Sequence, residues 1–350
     1  MAVPEDVGRD LPPGELLPAR NLLDPGLFCQ AVYCPENSLG AQVTGAPARE
    51  EPHLAGLQAL LDGLQERPDS RVMTPDSCIM SLDSRSRTPE SSTILIDIHE
   101  EFTVMEVIAI ANQKGGCGKT TTTVNLAAYL ALRGSHVLLI DLDPQGSSTT
   151  HLGIDKDNLP KNMNEVMMDR AKLEDIIIPT TVKGLDIAPT NNDLVEADAV
   201  LTSKVGREKR LKKKVQALNY DYVLIDTPPA LGNMTLNALV ASDRVIVPVQ
   251  VEFFAVEGLK TLIRMLDELD ELGYQPERRY LLTMCDNRRK ITEEVSTKIR
   301  SLLGDAVFKV VIPENVRLVE APSQGLPICL YDPSCSGALG YKDLADEVAA

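Results

Sequence analysis

The string Gly115-Gly116-Cys117-Gly118-Lys119-Thr120 has the residue types needed to hold a phosphate chain. Glycines between a strand and a helix let successive backbone N–H groups converge on phosphate oxygens, and the helix N-terminus adds a favourable dipole. In such a loop Lys119 reaches the β- and γ-phosphates of a nucleoside triphosphate, the Thr120 hydroxyl binds Mg²⁺, and Thr121 is placed to touch the α-phosphate. Two acidic stations follow. Asp141 and Asp143 lie in Asp141-Leu142-Asp143-Pro144-Gln145-Gly146, where alternation puts both on one side of a strand end. The bland alternative is a pair of acids capping a turn before proline. Asp226 closes the apolar run Tyr222-Val223-Leu224-Ile225, as a strand does when it delivers a carboxylate to a metal. Strands ending in aspartate are common, so this third station gains its meaning from following the other two in order.

The elements that must position these residues are legible from hydrophobic runs. Val107 to Ala111 is strand-length and apolar, and a helix is expected from about Lys119 to Leu132. Further strands are expected over His136 to Ile140, Leu185 to Ala188, Tyr222 to Ile225, Arg244 to Val249 and Tyr280 to Met284. Helices over Arg207 to Leu218, Gly258 to Leu272 and Thr292 to Leu303 lie between several of them. Continuous apolar strands alternating with helices predict an α/β fold: a mostly parallel, twisted sheet with helices on both faces.

The loop departs from the usual G-x-x-x-x-G-K-[ST] pattern, with Gln113 in place of its first glycine and Lys114 next to it. The stretch Asn112 to Thr121 resembles the deviant Walker A motif of the ParA/MinD family. The resemblance runs from about Met105 to the C-terminus and includes Pro248-Val249-Gln250-Val251-Glu252. It implies an ATPase that closes as a homodimer around two ATP molecules. Lys114 would cross to the partner's nucleotide, because two facing triphosphates need an extra cation from each side. The resemblance further implies that Lys114, Lys119 and Asp143 are the catalytic residues, with Asp143 orienting the attacking water. Thr120, Asp141 and Asp226 would serve Mg²⁺, Asp141 from behind. Gly115, Gly116, Cys117, Gly118, Lys119, Thr120 and Thr121 would line the phosphates, Cys117 as a small side chain at a variable position. Asn287 falls at the base-recognition asparagine, and Pro313 and Asn315 where the family lines the adenine pocket.

Composition divides the chain in two. Residues 1–104 hold 17 acidic and 7 basic side chains, 11 of the 23 prolines, and no lysine; the first lysine is Lys114. An acidic, proline-rich segment of this kind is expected to be disordered, or to precede a true start at Met105; only Leu54 to Leu64 has the pattern of a short helix. The ATPase domain is then 105–350. No apolar run of 18 residues predicts a membrane helix, the first ten residues lack a signal-peptide pattern, and seven cysteines without a C-x-x-C pair suit a reducing cytoplasm.

Within the family the chain looks most like the Soj-type ParA proteins. It lacks the basic amphipathic tail of MinD-type proteins, and Cys329 and Cys335 do not match cluster ligands. The resemblance implies non-specific binding of double-stranded DNA by the ATP dimer, through Arg288 and Arg317. It also implies a ParB-like partner that stimulates hydrolysis, and a nucleoid-associated protein that positions chromosome, plasmid or other cargo. Glu314 and Glu320 lie near that patch and weaken phosphate attraction. The basic run Lys204, Arg207, Lys209, Arg210 and Lys212 to Lys214 reads as a solvated helix face. A switch acting on flagellar, chemotactic or division proteins without DNA is the alternative; a metabolic ligase or reductase ranks last.

Overall fold

The structure is a computed structural model that describes residues 104–252, 255–286 and 288–350. The expectations for 1–104, apart from Val104, and for Asn287 lie outside the described residues.

Among the described residues eight strands form one sheet: β1 (Glu106–Ile110), β2 (Val137–Asp141), β3 (Ile178–Pro179), β4 (Leu185–Ala188), β5 (Tyr222–Asp226), β6 (Arg244–Gln250), β7 (Glu277–Cys285) and β8 (Val307–Pro313). Their order is β3-β4-β2-β5-β1-β6-β7-β8. Every pairing is parallel except β3 with β4 at one edge. The helices are α1 (Lys119–Leu132), α2 (Ser147–His151), α3 (Met163–Met167), α4 (Leu194–Leu201), α5 (Arg210–Val215), α6 (Asn233–Ala241), α7 (Ala255–Glu271), α8 (Lys290–Leu303), α9 (Val316–Glu320), α10 (Ile328–Tyr331) and α11 (Ser336–Val348). This is the expected α/β sheet, with helices on both faces.

Alternation along β1 shows why both faces are covered. Val107, Ala109 and Ala111 enter one core with α3 to α8, whereas Ile108 and Ile110 enter the other with α1 and α11. The second core is tied by a buried contact between Thr122 Oγ1 on α1 and the Tyr341 hydroxyl on α11, 3.1 Å apart. From β1 the chain moves to one side of the sheet for β2 to β4 and to the other for β6 to β8. The loops after neighbouring strands therefore diverge and open a crevice at their carboxyl ends, where ligands bind in such sheets.

Three local expectations need correction. The helix expected over Arg207 to Leu218 is a 3-10 turn over Arg207–Lys209 followed by α5, ending at Val215. Only Leu211 and Val215 are buried there, enough apolar surface for a single turn of contact. The strand expected over Tyr280 to Met284 extends to Glu277–Cys285, because its polar first residues pair with β6. The strands β3 and β8 were not expected. One is two residues long with a proline on the sheet edge, and Lys309 interrupts the apolar run of the other.

The carboxyl-end loops are braced by a close backbone approach. Gly325 has φ +66°, and a Cβ added to it would stand 2.7 Å from the Gly153 Cα. Gly325→Ala combines left-handed strain with that clash, so stability should fall by about 1–3 kcal/mol. Thermal unfolding is expected to show a midpoint several degrees lower; an unchanged midpoint would mean the two loops separate freely.

Candidate functional site

The loop between β1 and α1 curls at the crevice. Gly118 caps α1 in the left-handed region, φ 94°, and Gly116 has φ 71°, so side chains at either position would strain the curl. Neighbouring strands clamp the loop. Asn112 Nδ2 donates to the Pro248 carbonyl at 2.7 Å, and Thr283 Oγ1 donates to the Cys117 carbonyl at 2.9 Å. The loop is thus held from β6 and β7 through carbonyl oxygens, and these two clamps engage none of its backbone N–H groups. A Cβ at Gly115 would meet nothing within 4 Å, so open space lies beside the loop.

Both loop lysines have defined places. Lys119 is buried, and its Nζ donates to the Lys114 carbonyl at 3.1 Å. The Lys114 ammonium turns to its own chain instead, donating to Gln250 Oε1 at 2.7 Å and pairing with Glu252 Oε1 at 2.5 Å. Cys117 is buried with its thiol against the Lys114 carbonyl, and burial pushes its pKa up, so it fills space rather than reacting.

Asp141 and Asp226 are register partners at the ends of β2 and β5, both fully buried. Burial raises the pKa of each; for Asp141 the neighbouring Asp226 charge adds to the rise. Hydrogen bonds oppose it. Asp141 Oδ2 accepts from the Thr149 N–H at 2.9 Å and Thr149 Oγ1 at 2.8 Å, and its Oδ1 accepts from the Asp143 N–H at 3.2 Å. Asp226 Oδ2 accepts from Ser148 Oγ at 2.7 Å, Oδ1 from Thr123 Oγ1 at 3.4 Å, and Thr120 also bonds this carboxylate. Asp143 lies just past β2, nearly buried, and its Oδ1 accepts from the Gln145 N–H at 3.0 Å. The chain thereby brings Lys119, Thr120, Asp141, Asp143 and Asp226 to one end of the sheet. Thr121 lies on the first turn of α1, where its carbonyl accepts from Asn125 Nδ2.

This donor set fits a magnesium nucleotide. Mg²⁺ takes one or two protein oxygens and completes its shell with phosphate and water, so one hydroxyl beside one carboxylate suffices. Among the described residues there is no cluster of three or more His, Cys, Asp or Glu able to hold a metal alone. Ser148, Thr149 and Thr123 were missed from the sequence: hydroxyls on the five-residue α2 carry no spacing signal, and Thr123 lies within α1 beyond the phosphate motif.

The remaining expected residues are arranged less simply. Pro313 ends β8 opposite Cys285 of β7, the strand whose Thr283 bonds the phosphate loop. Asn315 caps α9, accepting from the Arg317 N–H at 2.8 Å, and donates to Ser336 Oγ at 2.8 Å, so its side chain is engaged locally. Arg288 is 88 % exposed, yet its Nε and an Nη grip the Asp286 carboxylate at 2.8 and 3.0 Å and hold it near a pKa of about 2. Arg289 pairs with Asp286 and Glu314, and Arg317 with Glu320 and Asp332. These three arginines therefore face four carboxylates. Among the described residues no helix is long and apolar enough to cross a membrane.

Known proteins share this arrangement. Residues 105–276 match the family model described as an AAA domain. The sporulation initiation inhibitor protein Soj of Bacillus subtilis is 48 % identical over 250 residues, 70 % of this chain and 98 % of that protein. The chromosome partitioning protein ParA of Caulobacter vibrioides is 44 % identical over 250 residues, covering 70 % of this chain and 94 % of that protein. Cobyrinic acid a,c-diamide synthase from Mycobacterium smegmatis, solved with an ATP analog and magnesium, superposes with a TM-score of 0.62 at 34 % identity. That match covers 70 % of this chain and 95 % of the other. With a deviant phosphate loop on this sheet and near-complete coverage of such relatives, the chain belongs to the ParA/Soj family of P-loop chromosome-partitioning ATPases.

Proposed function

We propose that this chain is an ATP-dependent partitioning ATPase that works as a nucleotide-sandwich dimer on DNA. The observation that carries it is the meeting of Lys119, Thr120, Asp143 and Asp226 around one glycine loop that also bears a second lysine, Lys114. In this reading Lys119 binds the β- and γ-phosphates, and Lys114 leaves Gln250 and Glu252 to meet the partner's nucleotide. Thr120 and Asp226 hold Mg²⁺, with Asp141 behind, and the ion neutralises charge on the phosphate oxygens. Asp143 orients a water whose oxygen bonds to the γ-phosphorus as the bond to ADP breaks, releasing ADP and phosphate. A ParB-like partner accelerates this slow step. The ATP dimer coats nucleoid DNA in the cytoplasm, and hydrolysis releases it, which moves or positions cargo. Pro313 and Asn315 line the adenine side, and Asn287 recognises the base. In this reading the ATPase domain is 105–350.

The second reading is the same switch acting through protein partners alone. It is favoured by the carboxylates that surround Arg288, Arg289 and Arg317. Locally balanced charge releases few counterions on meeting phosphate.

Three outcomes test these readings. Lys119→Ala should lose nucleotide binding by about 100-fold or more in equilibrium titration, equivalent to about 2.7 kcal/mol. Asp143→Ala should retain ATP and accumulate as a dimer in sedimentation, with hydrolysis about 100-fold slower or more; wild-type turnover in that variant would remove Asp143 from the mechanism. Co-sedimentation of the full chain with random duplex DNA should require ATP, weaken with salt, and fail in Arg288→Glu/Arg317→Glu. A normal ATP dimer that ignores DNA would instead select the protein-only switch.

A further inference from the structure

A single residue step along α2 separates two buried tasks. Thr149 spends its N–H and hydroxyl on Asp141, whereas the adjacent Ser148 sends its hydroxyl to Asp226. Ser148 is fully buried, and the 2.7 Å contact with Asp226 Oδ2 spans 78 residues of chain. Thr150 Oγ1 serves its own helix, donating to the Gly146 carbonyl, and Thr123 Oγ1 is divided between the Lys119 carbonyl at 3.0 Å and a longer contact with Asp226 Oδ1 at 3.4 Å. The Ser148 hydroxyl bonds the carboxylate instead of helix backbone, so α2 does not need it in order to form. Asp226 is thereby braced from two sides, by Thr120 and Thr123 at the start of α1 and by Ser148 of α2.

The segment behind Ser148 makes this contact more than a local bond. Asp143 donates its N–H to Asp141 and accepts from the Gln145 N–H, and α2 begins two residues later. The stretch from Asp143 to Ser148 therefore ends in a hydroxyl fastened to the proposed metal carboxylate.

We propose that Ser148 is a positioning residue for the magnesium site: its hydroxyl holds Asp226 in the orientation that receives the ion and ties that carboxylate to the segment carrying Asp143. This rests on the proposed role of Asp226. Without the hydroxyl, Asp226 turns about its Cα–Cβ bond and presents to the ion in several orientations. Partners behind a metal ligand typically change metal affinity by about 10–100-fold when removed. The nucleotide's own contacts with the loop backbone and Lys119 do not pass through Ser148.

The test uses the full chain with Ser148→Ala and Ser148→Thr, and a fluorescent N-methylanthraniloyl-ADP as probe. Binding is measured in EDTA and then as MgCl₂ is added. Ser148→Ala is expected to bind the probe normally without metal and to need about tenfold more Mg²⁺ at the midpoint. Ser148→Thr, which keeps the hydroxyl, is expected to restore the wild-type midpoint. An unmoved midpoint in Ser148→Ala overturns the role, as does a threonine variant that behaves like alanine. Parallel loss of metal-free binding also overturns it, since the hydroxyl would then merely support the fold. If the unsubstituted chain bound no probe at all, the nucleotide site itself would be overturned; normal binding with an unmoved midpoint fails Ser148 alone.

Discussion

Two carboxylates fully buried side by side are the constraint around which this domain is arranged. Asp141 and Asp226 end adjoining parallel strands in register, so their side chains emerge at the same level of the sheet. Unmatched, such a pair is costly, because each charge loses water and feels the other. The chain meets that demand mainly with hydrogen-bond donors: Thr149 and the Asp143 N–H for Asp141, Ser148 and two threonines of the phosphate-loop helix for Asp226, with the Lys119 charge nearby. Nearly all of these donors come from the two segments that a nucleotide would touch. Local order at the site is therefore inseparable from the solvation of these two acids.

The same economy governs the phosphate loop. Its curl depends on glycines in the left-handed region, but glycines also leave a chain loose. Clamps from Asn112 to β6 and from Thr283 on β7 supply the missing rigidity. The strand order makes these clamps possible, since β1 lies between β5 and β6 and its loop emerges among their carboxyl ends. Lys114 is held by Gln250 and Glu252 at the far end of β6, so the second lysine is satisfied within one chain. In the proposed sandwich dimer a partner's triphosphate would have to outcompete that carboxylate, and association would then be sensitive to the charge of the nucleotide.

Charge elsewhere is distributed in pairs. The arginines near the end of β7 and on α9 each meet acids on neighbouring turns, and the net charge of the chain is −16. Any polyanion approaching this edge must displace carboxylates before it gains an arginine. That requirement makes such contacts weaker, and less steeply dependent on salt, than those of a bare basic patch.

The sequence by itself determined the sheet, the phosphate loop and the order of the acidic stations. Apolar runs such as Val107 to Ala111 and Tyr222 to Ile225 admit few alternatives once a glycine loop or an aspartate ends them. The strands β3 and β8 were illegible because a two-residue edge strand carries no period and Lys309 breaks the apolar run of the other. Tertiary structure alone decided which hydroxyl serves which carboxylate. Ser148 and Thr149 are adjacent in sequence, yet helical rotation turns one toward Asp226 and the other toward Asp141. It also decided that Arg288, Arg289 and Arg317 are paired and that Lys114 is turned to β6. Those are properties of side-chain direction and long-range proximity, and local hydrophobic pattern, which records only what each segment must bury, contains neither.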